Sequence, residues 1–226
     1  MGAFPIVGFY AILDVRPQGS ADGDLGPEQM QAELGRAADL LRARPCCLQL
    51  RSKQLADGPL LRLARQLVGM CRAAQVPFCL NDRPDLAHLA GADLVHVGQT
   101  DLPIAEVRQV LARLGRPLPV GVSTHNLQQA QAAWAAGADY IGFGPVFPTT
   151  SKAQPDPVVG LAGLTAVCRQ VRLPVVAIGG ITRARIADVV EAGAAAAAVI
   201  GDIDTSNDRT AAGLAIGAAF GRSHHV

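Results

Sequence analysis

Only two of the 20 basic side chains in this 226-residue sequence are lysines, Lys53 and Lys152; the rest are arginines. Each stands among polar residues, in "QLRSK" (49–53) and "PTTSK" (148–152). An ammonium is a compact, mobile point charge, suited to an oxyanion that a planar guanidinium would not fit. Gln49 and Arg51 alternate with Leu48 and Leu50, so in a strand they share one face, and Lys53 continues it past the strand end. One amide and two cations make an anion clamp. The competing reading pairs Arg51 with a neighbouring carboxylate and leaves Lys53 in solvent. Asp82 in "NDR" and Asp101 in "GQTD" follow successive apolar runs. At the ends of adjacent parallel strands, about 4.8 Å apart, they repel unless a cation lies between them. Mg²⁺, which keeps several waters and takes one or two carboxylates plus phosphate oxygens, suits such a pair. Helix capping is the equal alternative for Asp101 and the preferred reading for Asp85.

A second group of polar residues lies later in the chain. Gly179-Gly180, with Thr182 heading the next helical pattern, and Ile200-Gly201 end the last two apolar runs. Glycine lets backbone amides approach an anion, and a following helix N-terminus adds a favourable dipole. The plainer reading is a tight turn. In "GPVFPTTSK" (144–152), Pro145 and Pro148 restrict the backbone that presents Thr149, Thr150, Ser151 and Lys152. Pre-positioning of this kind lowers the ordering cost of binding. Two anion sites, one metal-bridged, imply two phosphorylated substrates or one long one.

These residues need a frame that gathers strand ends. Eight Val- and Ile-rich runs, 6–14, 46–51, 77–82, 94–98, 119–123, 139–147, 174–180 and 196–201, alternate with amphipathic helical patterns, the first beginning near Pro27. The alternation implies parallel strands and right-handed crossovers. Eight such units in this length predict a single α/β domain over 1–226, a (β/α)₈ TIM barrel, with 219–226 as a flexible tail. Functional groups then collect at the C-terminal strand ends. A doubly wound open sheet is second choice, since no G-x-G-x-x-G follows the first strand. The alanine-rich run 192–198 makes the start of the last strand the least defined boundary.

Composition narrows the partners. Half the chain is hydrophobic but only 4% is aromatic, so aliphatic side chains must build the core. A net charge of +1 without a basic patch argues against nucleic acid. No apolar stretch approaches the roughly 20 residues that span a bilayer. The N-terminus lacks a basic n-region and reads as a strand, not a signal peptide. Five cysteines without metal-ligand spacing read as buried thiols of a cytoplasmic protein. Monomer or homo-oligomer is left open.

In order, "FYAILD", "QLRSK", "NDRPDLA", "VHVGQTDLP", "GVSTHN", "GADYIGFGPVFPTTSK", "VVAIGGI" and "AVIGDI" cover almost the whole chain. Together they make it resemble the thiamine-phosphate synthase family. The resemblance implies a Mg²⁺-dependent transferase that couples hydroxymethylpyrimidine pyrophosphate with thiazole phosphate, giving thiamine phosphate and pyrophosphate through a pyrimidine cation. Carried onto this chain, it implies that Gln49, Leu50, Arg51, Ser52, Lys53, Asn81, Ser123 and Lys152 bind the pyrimidine pyrophosphate. Of these, Arg51, Lys53, Ser123 and Lys152 would act in catalysis. Asp82 and Asp101 would hold the metal. Thr149, Thr150, Ser151, Gly180, Ile200 and Gly201 would bind the thiazole phosphate. Ser151 replaces the family's usual Thr, and Gly201 replaces its usual Ser, which removes a hydroxyl contact to phosphate. His125 keeps a related thiazole tautomerase as the alternative enzyme; a catalytically silent barrel that binds a phosphorylated ligand is the non-enzymatic one. His96 reads as a satisfied core residue, and His88, His224 and His225 as surface residues.

Overall fold

The computed structural model describes residues 6–18, 23–149 and 156–221. Its strands are β1 (Gly8–Asp14), β2 (Cys47–Arg51), β3 (Phe78–Asn81), β4 (Leu94–Val97), β5 (Val120–Thr124), β6 (Tyr140–Phe143), β7 (Val175–Ile178) and β8 (Ala196–Val199). All pair in parallel and in chain order, and β8 closes on β1 from Gly8↔Ala196 to Ala11↔Val199. The intervening helices are α1 (Pro27–Arg42), α2 (Asp57–Ala74), α3 (Pro84–Ala90), α4 (Ile104–Arg113), α5 (Leu127–Ala135) and α6 (Gly160–Gln170). After β7 comes a 3₁₀ turn (Arg183–Arg185) and α7 (Ile186–Glu191); α8 (Gly201–Asp204) and α9 (Arg209–Gly221) follow β8. This is the expected (β/α)₈ barrel.

Strand alternation divides the core into two layers. Phe9, Ala11, Leu13, Leu48, Leu50, Phe78 and Leu80 face outward and pack with the helices. Tyr10, Ile12, Cys47, Cys79, Leu94, Tyr140, Val176, Ala196 and Ala198 face the barrel interior. The small residues among these follow from the two rings. Ala198 pairs with Tyr10, and Gly121 pairs with Tyr140. A Cβ on Gly121 would overlap the Tyr140 ring. Alanine therefore serves β8 despite its weak strand propensity, because the volume is already taken.

Several boundaries differ from expectation. The sixth run ends at Phe143, and residues 144–147 cross to β7 instead: the Val146 and Phe147 amides donate to the Ile178 and Gly179 carbonyls at 2.8 and 3.0 Å. The seventh and eighth runs stop at Ile178 and Val199. Gly179 and Gly180 turn to φ of +95° and +62°, and Gly201 already begins α8. Residues 219–221 belong to α9 and not to a tail; 222–226 lie outside the described residues. All five thiols are free, but Cys46 and Cys168 are partly exposed, so the expectation of burial holds for Cys47, Cys71 and Cys79. No described helix is long and apolar enough to cross a membrane.

Replacing Gly121 with Ala should cost about 1–3 kcal/mol through overpacking against Tyr140. A urea unfolding midpoint equal to that of the parent would contradict this view of the interior.

Candidate active site

The clamp residues of β2 do share the inward face, but their partners differ. Gln49 is buried, and its Nε2 donates to the Tyr10 hydroxyl at 3.3 Å. Arg51 reaches Asp14 at the end of β1, Nη1 to Oδ1 2.5 Å, so here the carboxylate-pairing reading holds. Lys53 is not merely solvated. Its ammonium bonds Asp82 Oδ2 and lies 4.0 Å from Asp101 Oδ1. Leu50 faces the helices, so at the mouth it can offer only backbone atoms. The Ser52 hydroxyl accepts the Gln54 and Leu55 amides and shapes the loop after β2.

Both aspartates are held by local backbone geometry. Asp82 follows the last residue of β3 at φ +65°, a left-handed conformation that aspartate tolerates better than most residues. Its amide donates to the His96 carbonyl of β4 at 2.7 Å. Asp101 Oδ2 accepts the Gly98 amide at 2.7 Å. A Cβ on Gly98 would stand 2.9 Å from that oxygen, so glycine is what lets the carboxylate approach. Asp101 is not a helix cap: Pro103 occupies the cap position of α4. Asp85 is not one either. It sits in the first turn of α3 and takes a two-pronged bond from Arg83, at 3.0 and 2.8 Å.

Asp82 and Asp101 both face the Lys53 ammonium, and each perturbs the other's titration. Burial, then Asp101, raises the Asp82 carboxyl above its ordinary value, and Lys53 only partly offsets this. For Asp101 burial acts upward, but Asp82 and the bond from the Gly98 amide outweigh it and hold it low. Of the two, Asp82 is the carboxyl that takes up a proton first as pH falls, and the Lys53 ammonium is the counter-charge that lets both stand close together. The Lys53 ammonium facing both marks where positive charge is favoured, so the donors fit a hard cation such as Mg²⁺. Among the described residues no group of three or more His, Cys, Asp or Glu side chains is arranged for a metal. A cation here would rely on two carboxylates and on substrate oxygens.

Asn81 is the last residue of β3, in register with His96. Ser123, on β5, bonds His96 Nε2 at 2.9 Å, while His96 Nδ1 meets the Tyr140 hydroxyl at 3.1 Å. Both ring nitrogens of this buried histidine are therefore satisfied, as expected. His125 is engaged as well, Nδ1 with the Gly144 carbonyl at 2.6 Å and Nε2 with Asp156 at 3.4 Å. His88 is half-buried with an unpartnered Nδ1, contrary to its surface reading; His224 and His225 lie outside the described residues.

The second group gathers around β7. Cβ atoms on Gly179 and Gly180 would overlap Pro145 and the Phe147–Pro148 backbone, so the two glycines let the β6 loop dock on the β7 end. The Arg185 guanidinium lies 4.6 Å above the Phe147 ring and donates to the Gly180 carbonyl at 3.3 Å. The helix expected from Thr182 is a 3₁₀ turn, and α7 begins only at Ile186, which removes the expected α-helical dipole from Gly180. Arg183 Nε donates to Asp202 at 2.7 Å, tying this loop to α8, where Ile200 and Gly201 stand. Thr149, next after Pro148, is half-buried; Thr150, Ser151 and Lys152 lie outside the described residues.

Sequence reasoning passed over Asp14, Tyr10 and Tyr140. The last two are the only tyrosines in the chain, a signal of the same kind as the two lysines.

The sequence profile described as thiamine monophosphate synthase matches residues 26–203. The chain belongs to that family. The family's enzyme class, a transferase, is the one expected from the motifs. The thiamine-phosphate synthase of Methanocella arvoryzae is 41% identical over 203 residues, covering 90% of this chain and 91% of that one. That of Anaeromyxobacter dehalogenans is 45% identical over 173 residues, 76% of each. The solved thiamine phosphate pyrophosphorylase of Pyrococcus furiosus superimposes with a TM-score of 0.82 at 26% identity, over 98% of each chain.

Two measurements test the geometry of this family member. Gly98→Ala should displace Asp101 and lower turnover about 10- to 100-fold with the fold intact by circular dichroism; unchanged turnover would mean that the Asp101 position does not matter. Burial holds the His96 imidazole down at about 4, against an ordinary 6.5. Between these values the unfolded chain takes a proton that the folded chain refuses. The stability contributed by the neutral ring is thus complete above about pH 6.5 and lost as pH falls toward 4. Urea unfolding of His96→Asn should show a shallower acid loss across that window; equal slopes would exclude His96 as its source.

Proposed function

We propose that this chain is a Mg²⁺-dependent thiamine-phosphate synthase joining hydroxymethylpyrimidine pyrophosphate to thiazole phosphate. The observation that carries the reading is the convergence of Lys53 on the Asp82–Asp101 pair, beside Gln49 and Arg51 at the barrel mouth. Family membership and thiamine-phosphate synthase relatives at 41 and 45% identity support it.

In this reading the C–O bond to pyrophosphate breaks first, and both electrons leave with the pyrophosphate. The electron-rich aminopyrimidine carries the resulting cation, and the thiazole nitrogen closes the C–N bond. Asp82 and Asp101 would hold Mg²⁺, which when bound neutralises charge on the phosphate oxygens. Lys53 and Arg51 supply further positive charge on the same side, and Lys152 would add to it. Gln49, Asn81 and Ser123 orient the pyrimidine, with Leu50 and Ser52 contributing through the backbone and fold of the β2 loop. Thr149, Thr150 and Ser151 would face the thiazole, and its phosphate would take amides at Gly180, Ile200 and Gly201. None of the bond changes requires a general base. The engagement of both His125 nitrogens with Gly144 and Asp156 weighs against a proton-transfer role for that ring.

Incubation with both substrates and varied Mg²⁺, following pyrophosphate release, tests the proposal. Turnover that chelator abolishes is expected; no turnover, or turnover indifferent to chelator, would overturn it. Asp82→Asn and Lys152→Ala should each cut the rate at least about tenfold without unfolding the protein. Parent rates in folded variants would show that the site lies elsewhere.

A further inference from the structure

A chain of hydrogen bonds runs through the barrel interior, linking Gln49 of β2 to Ser123 of β5 by way of Tyr10, Tyr140 and His96. Gln49 Nε2 meets the Tyr10 hydroxyl at 3.3 Å, and Tyr10 meets the Tyr140 hydroxyl at 2.9 Å. Tyr140 meets His96 Nδ1 at 3.1 Å, and His96 Nε2 meets Ser123 Oγ at 2.9 Å. Tyr10 and Tyr140 are almost fully buried, so each hydroxyl proton must find an acceptor within the chain.

Starting from the amide end, one order of protons satisfies every group in the chain. The Gln49 amide nitrogen only donates. Its two hydrogens go to the Tyr10 oxygen and to Cys79 Sγ, 3.8 Å away. Tyr10 then has its own proton to give, and the Tyr140 oxygen at 2.9 Å is a stronger acceptor than the Cys79 sulfur, which lies 3.7 Å from the Tyr140 hydroxyl. Tyr140 in turn donates to His96 Nδ1, which must be the bare nitrogen of a neutral ring. His96 therefore carries its proton on Nε2 and donates it to Ser123 Oγ. The serine, already accepting, keeps its own proton to give away. At the other end, Gln49 Oε1 is left as an acceptor: among the described residues its amide nitrogen alone is bonded.

We propose that this relay fixes the donor and acceptor polarity of the pyrimidine pocket, with Tyr140 and His96 as positioning residues that act through Ser123 and Gln49. The proposal rests on the function argued above. It presents a carbonyl to accept from an exocyclic amino group and a hydroxyl to donate to a ring nitrogen. An oxo-pyrimidine reverses the pattern on one edge and leaves a buried group unpaired, which binding sites discriminate against strongly. Tyr140→Phe deletes the proton that holds His96 in one tautomer, while nothing at the phosphate-binding loops changes.

Nitrogen NMR of the substrate-free, ¹⁵N-histidine-labelled protein tests the relay directly, with His96 identified by its absence in His96→Asn. A single neutral tautomer protonated at Nε2 is expected; protonation at Nδ1, or a mixture, would overturn the proton order. In kinetics, Tyr140→Phe should raise KM for the pyrimidine substrate about tenfold, the scale of one lost hydrogen bond, with KM for thiazole phosphate unmoved. It should also narrow the preference for an amino- over an oxo-pyrimidine alcohol in binding calorimetry. Equal effects on both substrates, or no effect, would reject the positioning role. Failure of the parent to turn over either substrate would instead remove the function reading, leaving the tautomer result to judge the relay alone. Should Tyr140→Phe not fold, the NMR measurement on the parent still decides.

Discussion

A phenol at the centre of a β-barrel brings a polar atom away from the solvent surface, and leaving its hydroxyl unpaired would cost about 1–3 kcal/mol. Tyr140 is in that position, and much of the interior is arranged around it. Its ring volume requires glycine at position 121, and its hydroxyl is surrounded by Tyr10, His96 and Cys79. His96 is in turn paired on both nitrogens, the second with Ser123. Satisfying one buried hydroxyl thus builds a continuous polar path through an otherwise apolar layer, from β1 and β2 across to β4, β5 and β6. Interior packing and orientation of the mouth residues become one problem with one solution.

At the rim the governing force is charge. Asp82 and Asp101 both face the Lys53 ammonium, and each is held by backbone that an ordinary residue would not adopt or allow: a left-handed φ at Asp82 and a missing side chain at Gly98. Such conformations persist where surrounding bonds over-determine them. Here those bonds are the Asp82 amide on the His96 carbonyl and the Gly98 amide on Asp101. The site gains two fixed carboxylates and a nearby ammonium, an arrangement that favours added positive charge. Arg51 is steadied separately by Asp14, which keeps its guanidinium from collapsing onto the same pair.

The far side of the mouth depends on close backbone approach. The segment 144–147 leaves β6, bonds the carbonyls of Ile178 and Gly179 at and just past the end of β7, and is received by Gly179 and Gly180, where any side chain would collide with it. Arg185 closes this junction from outside by stacking on Phe147, and Arg183 carries the connection to Asp202 after β8. Loops following β6, β7 and β8 are therefore mechanically joined, so groups presented there are carried on one surface.

Alternating apolar runs and amphipathic stretches favoured a (β/α)₈ barrel over an open sheet, because parallel strands linked by helices have few ways to bury both faces; the pairing of β8 with β1 is what closes it. The inward face of Gln49 and Arg51, the closeness of Asp82 to Asp101 and the satisfied state of His96 were also legible, since each follows from strand period and neighbouring ends. Family motifs carried the enzyme class. Tertiary structure alone decided that Arg51 pairs with Asp14, that Lys53 faces both aspartates, that Asp85 answers Arg83, and that the segment after Phe143 crosses to β7. It also decided that the only two tyrosines meet at their hydroxyls, 130 positions apart in the chain. The physical reason is the same in each case. Period and composition specify which face a side chain takes, whereas partner choice depends on register and on distances between segments remote in sequence.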